Sequence, residues 1–539
     1  MATDPAAEGE SALRTPSLAV AALIVAAGFL GSRILGLLRS VIIAESFGTS
    51  PELDAYWVAF RLPDLVFQLL AGATLASAFI PTFAGVRARD GEAAAWRLAS
   101  SVLNLVLLAT LICAVAAFLL APRLIPLLAP GLGEDSGREA ELQALAIDLT
   151  RVMLISAVLF SISGMFMGIL NARRHFLMPA LAPMFYNLSI IGAALFSTDV
   201  NALAIGVVVG AALHLAVQLP DLALAGMTYR FVADWRDAAV REVGALMAPR
   251  VLGLAAAQIN FYFIAIFFAS TLSAGAISAV SFAWLIVMTP LGVIGMSIAT
   301  AAFPTMADQA ARADGLLAST VARTLRLILF LSLPAGVALA ILAKPLVVVA
   351  LQRGAFDVAS SDLTAQALVF YAPALFAHGG IEILSRGFYT LGDTRTPVAV
   401  AVLAMALNLI LAATLVGPLE LRGLALALSL ATAIEFFLLL FVLARRLPGF
   451  FDAALKGALR RMLVATVVLA GFTAQMYVIL DRIIGMDVTT TADALFVLAL
   501  SGGVGGSAYL LTSLALGLEE PHALFQRLPG IRTMRPGSR

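Results

Sequence analysis

Fourteen long apolar stretches recur along this 539-residue chain, and they restrict its possible folds more than any other feature. They lie near residues 18–44, 55–84, 98–120, 146–170, 180–197, 202–226, 243–270, 275–303, 321–351, 362–391, 396–416, 422–444, 460–480 and 492–517. A helix needs roughly 20 apolar residues to cross a bilayer, and backbone polar groups in hydrocarbon must be satisfied within the spanning element. The expected fold class is therefore all-α integral membrane. Composition agrees, at 61% hydrophobic and 12% charged, against roughly 45–50% and about 25% in water-soluble domains. A net charge of +1 and the lack of a long basic block give no support to nucleic-acid binding. The first sixteen residues are polar and small, and the apolar stretch after them lacks a short core with a small-residue cleavage site, so it reads as a retained first helix. The lone Cys113 reads as a small buried filler in an apolar run.

Lys and Arg resist translocation and accumulate on the cytoplasmic side of a membrane. One set of alternate connecting segments and termini holds 23 of them, and the opposite set holds only Arg123, Arg138, Arg353, Arg422 and Arg482. A missed or invented span in mid-chain would scramble this bias. The count of about 14 helices is thus checked independently, and both termini are expected in the cytoplasm.

The chain also repeats. Ala78-Phe79-Ile80-Pro81-Thr82-Phe83 ends the second span and Ala301-Ala302-Phe303-Pro304-Thr305-Met306 ends the eighth, 223 residues later. Gly168 through Pro179 and Gly387 through Pro397 follow the fourth and tenth spans at offsets of 219 and 218. Chance recurrence of Pro-Thr helix ends is the competing explanation, and agreement at two places argues against it. A six-span repeat is even, so its copies share one orientation, related by a pseudo-two-fold along the membrane normal. The expectation is an N-terminal lobe of helices 1–6 (residues 1–240), a C-terminal lobe of helices 7–12 (241–447), and helices 13–14 with a tail (448–539).

Six cations remain within or at the edge of spans: Arg33, Arg39, Arg61, Arg151, Lys344 and Arg386. A charge at mid-bilayer costs at least about 2.5–3.5 kcal/mol, so each should face a wet cavity, find a partner or reach an interface. Arg33 and Arg39 lie in Gly31-Ser32-Arg33-Ile34-Leu35-Gly36-Leu37-Leu38-Arg39, with no matching carboxylate in the first span. Guanidinium groups suit phosphate and pyrophosphate, so an anion-binding cavity is one reading; snorkelling of one and carbonyl pairing of the other is the alternative. Six residues place the two arginines on different helix faces unless the helix bends, which Gly31 and Gly36 permit. Asp54, Arg61 and Asp64 cluster around Pro63, with Asp54 a candidate gate partner for Arg39 and an intrahelical network the alternative. His378, Glu382 and Arg386 stand at i, i+4 and i+8 on one face of the tenth span, either as a coupling or gating element or as plain charge pairing. Lone His214 and Glu435 read as packing or hydrogen-bonding residues.

Enzyme signatures are missing from the sequence: it has no phosphate loop, no zinc-binding His-Glu-x-x-His and no serine elbow in a strand–helix setting. A transporter is therefore expected, without cofactor or metal, driven by the membrane potential, a monovalent ion gradient or consumption of the substrate.

Several stretches together resemble the MurJ/MviN family of lipid II flippases, within the multidrug/oligosaccharidyl-lipid/polysaccharide exporter superfamily. They are Ser32 through Arg39; Asp54-Ala55 with Phe60-Arg61-Leu62-Pro63; Ala78 through Pro81; Gly168 through Ala172; Pro179 through Asn187; Gln352-Arg353-Gly354-Ala355-Phe356-Asp357; and Arg386 through Tyr389 with Leu391 through Pro397. The resemblance implies a fourteen-helix fold with two lobes, a cationic central cavity, and a groove beside helices 13 and 14 for a polyprenyl tail. It implies functional roles for Arg33, Arg39 and Asp54, to which the charge argument adds Arg61. The implied partners are the lipid bilayer and a polyprenyl-pyrophosphate-linked saccharide, the implied location a bacterial inner membrane, and the implied activity lipid II translocation by alternating access. This chain departs from the family at Phe67-Gln68 and Gly72, where a basic residue and a Glu are usual, and at Leu285, where an Arg is usual. The alternatives are a flippase for another polyprenyl-linked glycan, a small-cation or drug antiporter, and a non-transporting paralogue.

Overall fold

The computed structural model describes residues 18–70, 73–258, 263–312 and 315–525, which are helical with short connections and contain no strand. Gly72 lies outside the described residues. Ten helical stretches among the described residues are long and apolar enough to cross a membrane. One of them carries two expected spans, and the other three expected spans fall on α1, on α2 with α3, and on α9 with α10, so the count of about fourteen is consistent with the structure.

The chain divides into two compact units. Among the described residues, the first contains 18–47, 55–128 and 138–258; the second contains 48–54, 129–137 and those from 263 onward. Two short segments that connect first-unit helices in sequence, 48–54 and 129–137, thus belong to the second unit.

In the first unit, α1 (Leu18–Phe47) packs along α6 (Leu177–Phe196), which packs on α7 (Val200–Ala216). Gly28 permits the first of these approaches, because a Cβ there would lie 2.5 Å from the Cβ of Ala180. The second expected span falls on α2 (Pro51–Leu70) and α3 (Ala73–Asp90), with Pro63 and Pro81 inside them respectively. The helix α3 meets α4 (Glu92–Leu128), α5 (Glu139–Ala172) and α9 (Ala238–Gln258) around a core of Phe79, Phe83, Trp96 and Phe166. Helix α4 turns Leu111, Ile112, Val115 and Leu119 outward, as a wall facing lipid should. Cys113 is on that exposed surface rather than buried. In hydrocarbon the inside and the outside of a helix bundle are both apolar, so residue type alone does not separate them. A short helix, α8 (Leu219–Leu224), completes the unit.

The second unit opens with α10 (Ile264–Ser270) and α11 (Ala276–Leu291). A π-helical turn, Gly292–Met296, joins α11 to α12 (Ser297–Arg312). A Cβ on Gly295 in that turn would lie 2.9 Å from Gly379 Cα, so two glycines make this approach between backbones. The ninth expected span breaks at Leu342 into α13 (Leu317–Ile341) and α14 (Ala343–Leu351). The tenth breaks at a 3-10 turn, Ala372–Ala374, between α15 (Val358–Tyr371) and α16 (Leu375–Thr390). Pro345 and Pro373 lie at these two interruptions, where their missing N–H groups disrupt the ladder least.

The stretch α17 (Arg395–Arg446) contains the eleventh and twelfth spans, joined at Glu420, whose φ of 51° and ψ of −131° end one helix and start the next. Helices α13, α16 and α17 pack around Leu325, Ile328, Phe330, Phe388, Phe436 and Leu443. The last two spans, α18 (Ala453–Val478) and α19 (Thr491–Ala515), pack on each other, α18 also on α13 and α19 on α14. The terminal α20 (Glu520–Phe525) is held by Arg326, whose Nε donates to Glu520 at 2.6 Å.

Candidate functional site

Two of the expected arginines, Arg39 and Arg61, act on the same two groups of the first unit, Tyr56 and Asp64. On α1, Arg39 is half-buried with its guanidinium carbon 5.9 Å from the centre of the Tyr186 ring of α6. On α2, Arg61 is half-buried with its guanidinium carbon 6.0 Å from the Trp57 ring. Asp64, one turn beyond Arg61, lies within electrostatic reach of both arginines, and Tyr56 does likewise. Cations over aromatic faces gain about 0.5–2 kcal/mol, more when desolvated, which offsets part of the cost of holding them away from water.

Asp64 in turn accepts a 2.6 Å hydrogen bond from Gln68 Nε2, and Gln68 Oε1 accepts one from Gln258 Nε2 of α9. A polar line thus runs from Arg39 and Arg61 through Asp64 and Gln68 to Gln258. Beside it stands an aromatic wall: Phe67 packs on Phe160 at 5.0 Å, and Phe160 meets Tyr186 at 5.1 Å and His214 at 5.3 Å. His214 is fixed by Ser163, 2.6 Å from its Nδ1, and Gln218 donates to Ser163 Oγ. The local charge is two guanidiniums against one carboxylate, an arrangement suited to an anion.

Arg33 is exposed, on a face of α1 different from that of half-buried Arg39. The structure does not place these two arginines side by side.

Asp54 lies in the second unit, 4% exposed, at the first turn of α2. Its Oδ2 accepts from Gly275 N at 2.7 Å, and its Oδ1 accepts from Ser278 N at 2.7 Å and Ser278 Oγ at 2.6 Å. Those amides belong to the start of α11, where the first N–H groups lack helical partners and the dipole favours a negative charge. Gly275, at φ 86°, comes so near Thr49 that a Cβ would lie 2.2 Å from the Thr49 carbonyl oxygen. The segment before Asp54 is therefore fitted tightly to the helix that Asp54 caps.

On α16, Arg386 Nη1 donates to the Glu382 carboxylate at 2.5 Å, and Nη2 donates to Thr300 Oγ1 of α12 at 3.2 Å. His378 is buried with its ring 5.3 Å from that of Trp284. Leu285, on the next residue of α11, is half-buried. Among the described residues no group of His, Cys, Asp and Glu is arranged to hold a metal ion.

The sequence reading did not single out Tyr186 or Gln258, it named Gln68 only as a departure from the family, and it named Asp64 only as a neighbour of Arg61. Tyr186 is on a different helix from both arginines, so spacing carries no sign of it. The available signal for Gln68 was its place in Phe67-Gln68, uncharged where the family resemblance implies a basic residue.

Comparison with known proteins gives a consistent result. The family model described as "Lipid II flippase MurJ" matches residues 43–487. A lipid II flippase MurJ of Burkholderia cenocepacia is 30% identical over 464 residues, covering 84% of this chain and 88% of that protein. A probable lipid II flippase MurJ of Vibrio cholerae serotype O1 is 32% identical over 434 residues, covering 77% and 81%. Among solved structures, a lipid II flippase MurJ in an inward closed conformation superposes with a TM-score of 0.75 at 23% identity, covering 92% of this chain and 98% of that one. An inward-facing multidrug resistance MATE transporter superposes at 0.65 with 18% identity, covering 79% and 95%. At these identities the two superpositions establish shared fold.

Proposed function

Because the chain belongs to the MurJ family of lipid II flippases, we propose that it translocates lipid II, a lipid-linked peptidoglycan precursor, across a bacterial inner membrane. The observation that carries this reading is the pair of half-buried guanidiniums, Arg39 and Arg61, gathered with one carboxylate, Asp64, inside a membrane unit. A pyrophosphate crossing hydrocarbon needs fixed cations along its route, since an unpaired charge there is costly. In this reading Arg39 and Arg61 bind the pyrophosphate, with Arg33 receiving it from outside the cluster. Asp54 holds the start of α11 in place and releases it when the path changes sides. The polyprenyl tail stays in lipid beside the last two spans, α18 and α19.

Transport proceeds by alternating access, with both termini in the cytoplasm. No nucleotide motif is present in the sequence, so the membrane potential or a monovalent ion gradient supplies the driving force, with His378, Glu382 and Arg386 as its sensor.

A second reading, a flippase for another polyprenyl-linked glycan, is favoured by the uncharged Phe67, Gln68 and Leu285, where relatives usually carry charge. Complementation separates the two. In cells depleted of their own lipid II flippase, this chain should restore growth; failure despite normal membrane expression would favour the second reading.

A further inference from the structure

Away from the arginine cluster, the first unit has a cavity of about 480 Å³ between α4, α5 and α8, lined mainly by Leu103, Leu107, Ile162, Phe166, Leu222 and Met227. Its size falls within the roughly 300–1,000 Å³ of small-molecule sites. Its polar lining residues are Asn104 and Tyr229: Tyr229 Oη donates to Asn104 Oδ1 at 2.8 Å and Asn104 Nδ2 donates to the Val232 carbonyl at 2.8 Å. Ser100 Oγ accepts from Arg230 N at 3.1 Å. These bonds pin the segment after α8 across α4 and present its side chains outward: Phe231 is 93% exposed and Trp235 63%.

The nearby carboxylates are already engaged. Asp234 pairs with Arg97 at 3.2 Å, Asp221 lies 3.7 Å from His175, and Asp237 accepts from Ala239 N. Among the described residues no carboxylate pairs with the guanidinium of Arg230 or Arg236, and that of Arg236 lies 5.0 Å from the Trp235 ring. An apolar cavity, exposed aromatic side chains and uncompensated arginines thus adjoin one another. Aromatic residues favour the membrane–water interface, and arginines beside it attract anionic headgroups.

We propose that this cavity binds an acyl chain of an anionic phospholipid, whose phosphate meets Arg230 with Arg236 reinforcing the local positive charge. The test is lipid retention by the purified full-length protein, read by native mass spectrometry during titration with phosphatidylglycerol or with phosphatidylcholine of the same chains. Wild type should retain phosphatidylglycerol more strongly. Each arginine near an anionic headgroup contributes about fivefold, so R230A/R236A should weaken phosphatidylglycerol retention about twenty-five-fold and that of phosphatidylcholine, whose phosphate is balanced by its own ammonium, by much less. Filling the cavity with A223W, or with L107W should the first variant not stay monodisperse, should weaken both lipids. Equal retention of the two lipids by wild type, or retention indifferent to both kinds of variant, would overturn the proposal. So would a polyprenyl phosphate that displaces phosphatidylglycerol and is itself lost in A223W, since the cavity would then hold a substrate tail.

Discussion

At Asp54 one carboxylate satisfies two backbone amides and a hydroxyl at the start of α11. Replacing it by Ala leaves buried donors without acceptors, which costs roughly 1–3 kcal/mol for each group left unsatisfied. Asp54→Ala should therefore lower the melting temperature of the purified protein, with Asp54→Asn between it and wild type; identical melting curves would show that the cap is not held by this side chain. Asp393 is a different case, outside the spans. Its hydrogen bonds from Thr396, with Arg446 beside it, hold its carboxyl below the usual carboxylate range. A lowered folded value means that its contribution is complete above about pH 4, the unfolded value, and is lost as pH falls through the lower folded value. Amide exchange at Arg395 and Thr396, whose N–H groups it accepts, should stay slow at pH 5 and become faster at that pH in Asp393→Ala, which has no acceptor to offer. Arg39, Arg61 and Asp54 were legible as residues because charge in an apolar stretch is conspicuous. Their partners were not, because Tyr186 and Ser278 are ordinary residues in their own helices and matter only through tertiary placement.

Among the elements, the spans were legible where apolar length and Lys/Arg bias agree, and the turn at Glu420 falls between two expected spans, 396–416 and 422–444. The interruptions inside spans were harder to see. The π turn Gly292–Met296 carries no periodicity signal of its own, and it contains Gly295, which closely approaches Gly379 on another element. Extra atoms in a tight contact usually cost about 1–3 kcal/mol, so Gly295→Ala should destabilise the protein. Gly36 in α1 has no atom within 4 Å of its would-be Cβ. Gly36→Ala should leave stability equal or higher by about 0.5–1 kcal/mol, as for Ala over Gly in a helix. If α1 bends at Gly36 during transport, Gly36→Ala also slows complementation without loss of thermal stability. Thermal melts of the two variants side by side check the contrast, and a destabilised Gly36→Ala would remove it.

For the whole molecule, the all-helical membrane fold follows from the apolar stretches and the Lys/Arg bias, and the flippase family from the motifs whose resemblance the family match bears out. What does not follow from sequence order is the membership of the units, since 48–54 and 129–137 are built into the second one. The central claim is that Arg39 and Arg61 carry an anionic lipid-linked precursor across the bilayer. Its most direct measurement is the fraction of cellular lipid II open to a membrane-impermeant hydrolase added outside spheroplasts depleted of their own flippase. Supplying this chain should raise that fraction, and Arg39→Ala should return it to the depleted level at equal membrane abundance. Lipid II that stays protected with the wild-type chain, or becomes equally exposed with Arg39→Ala, would contradict the account.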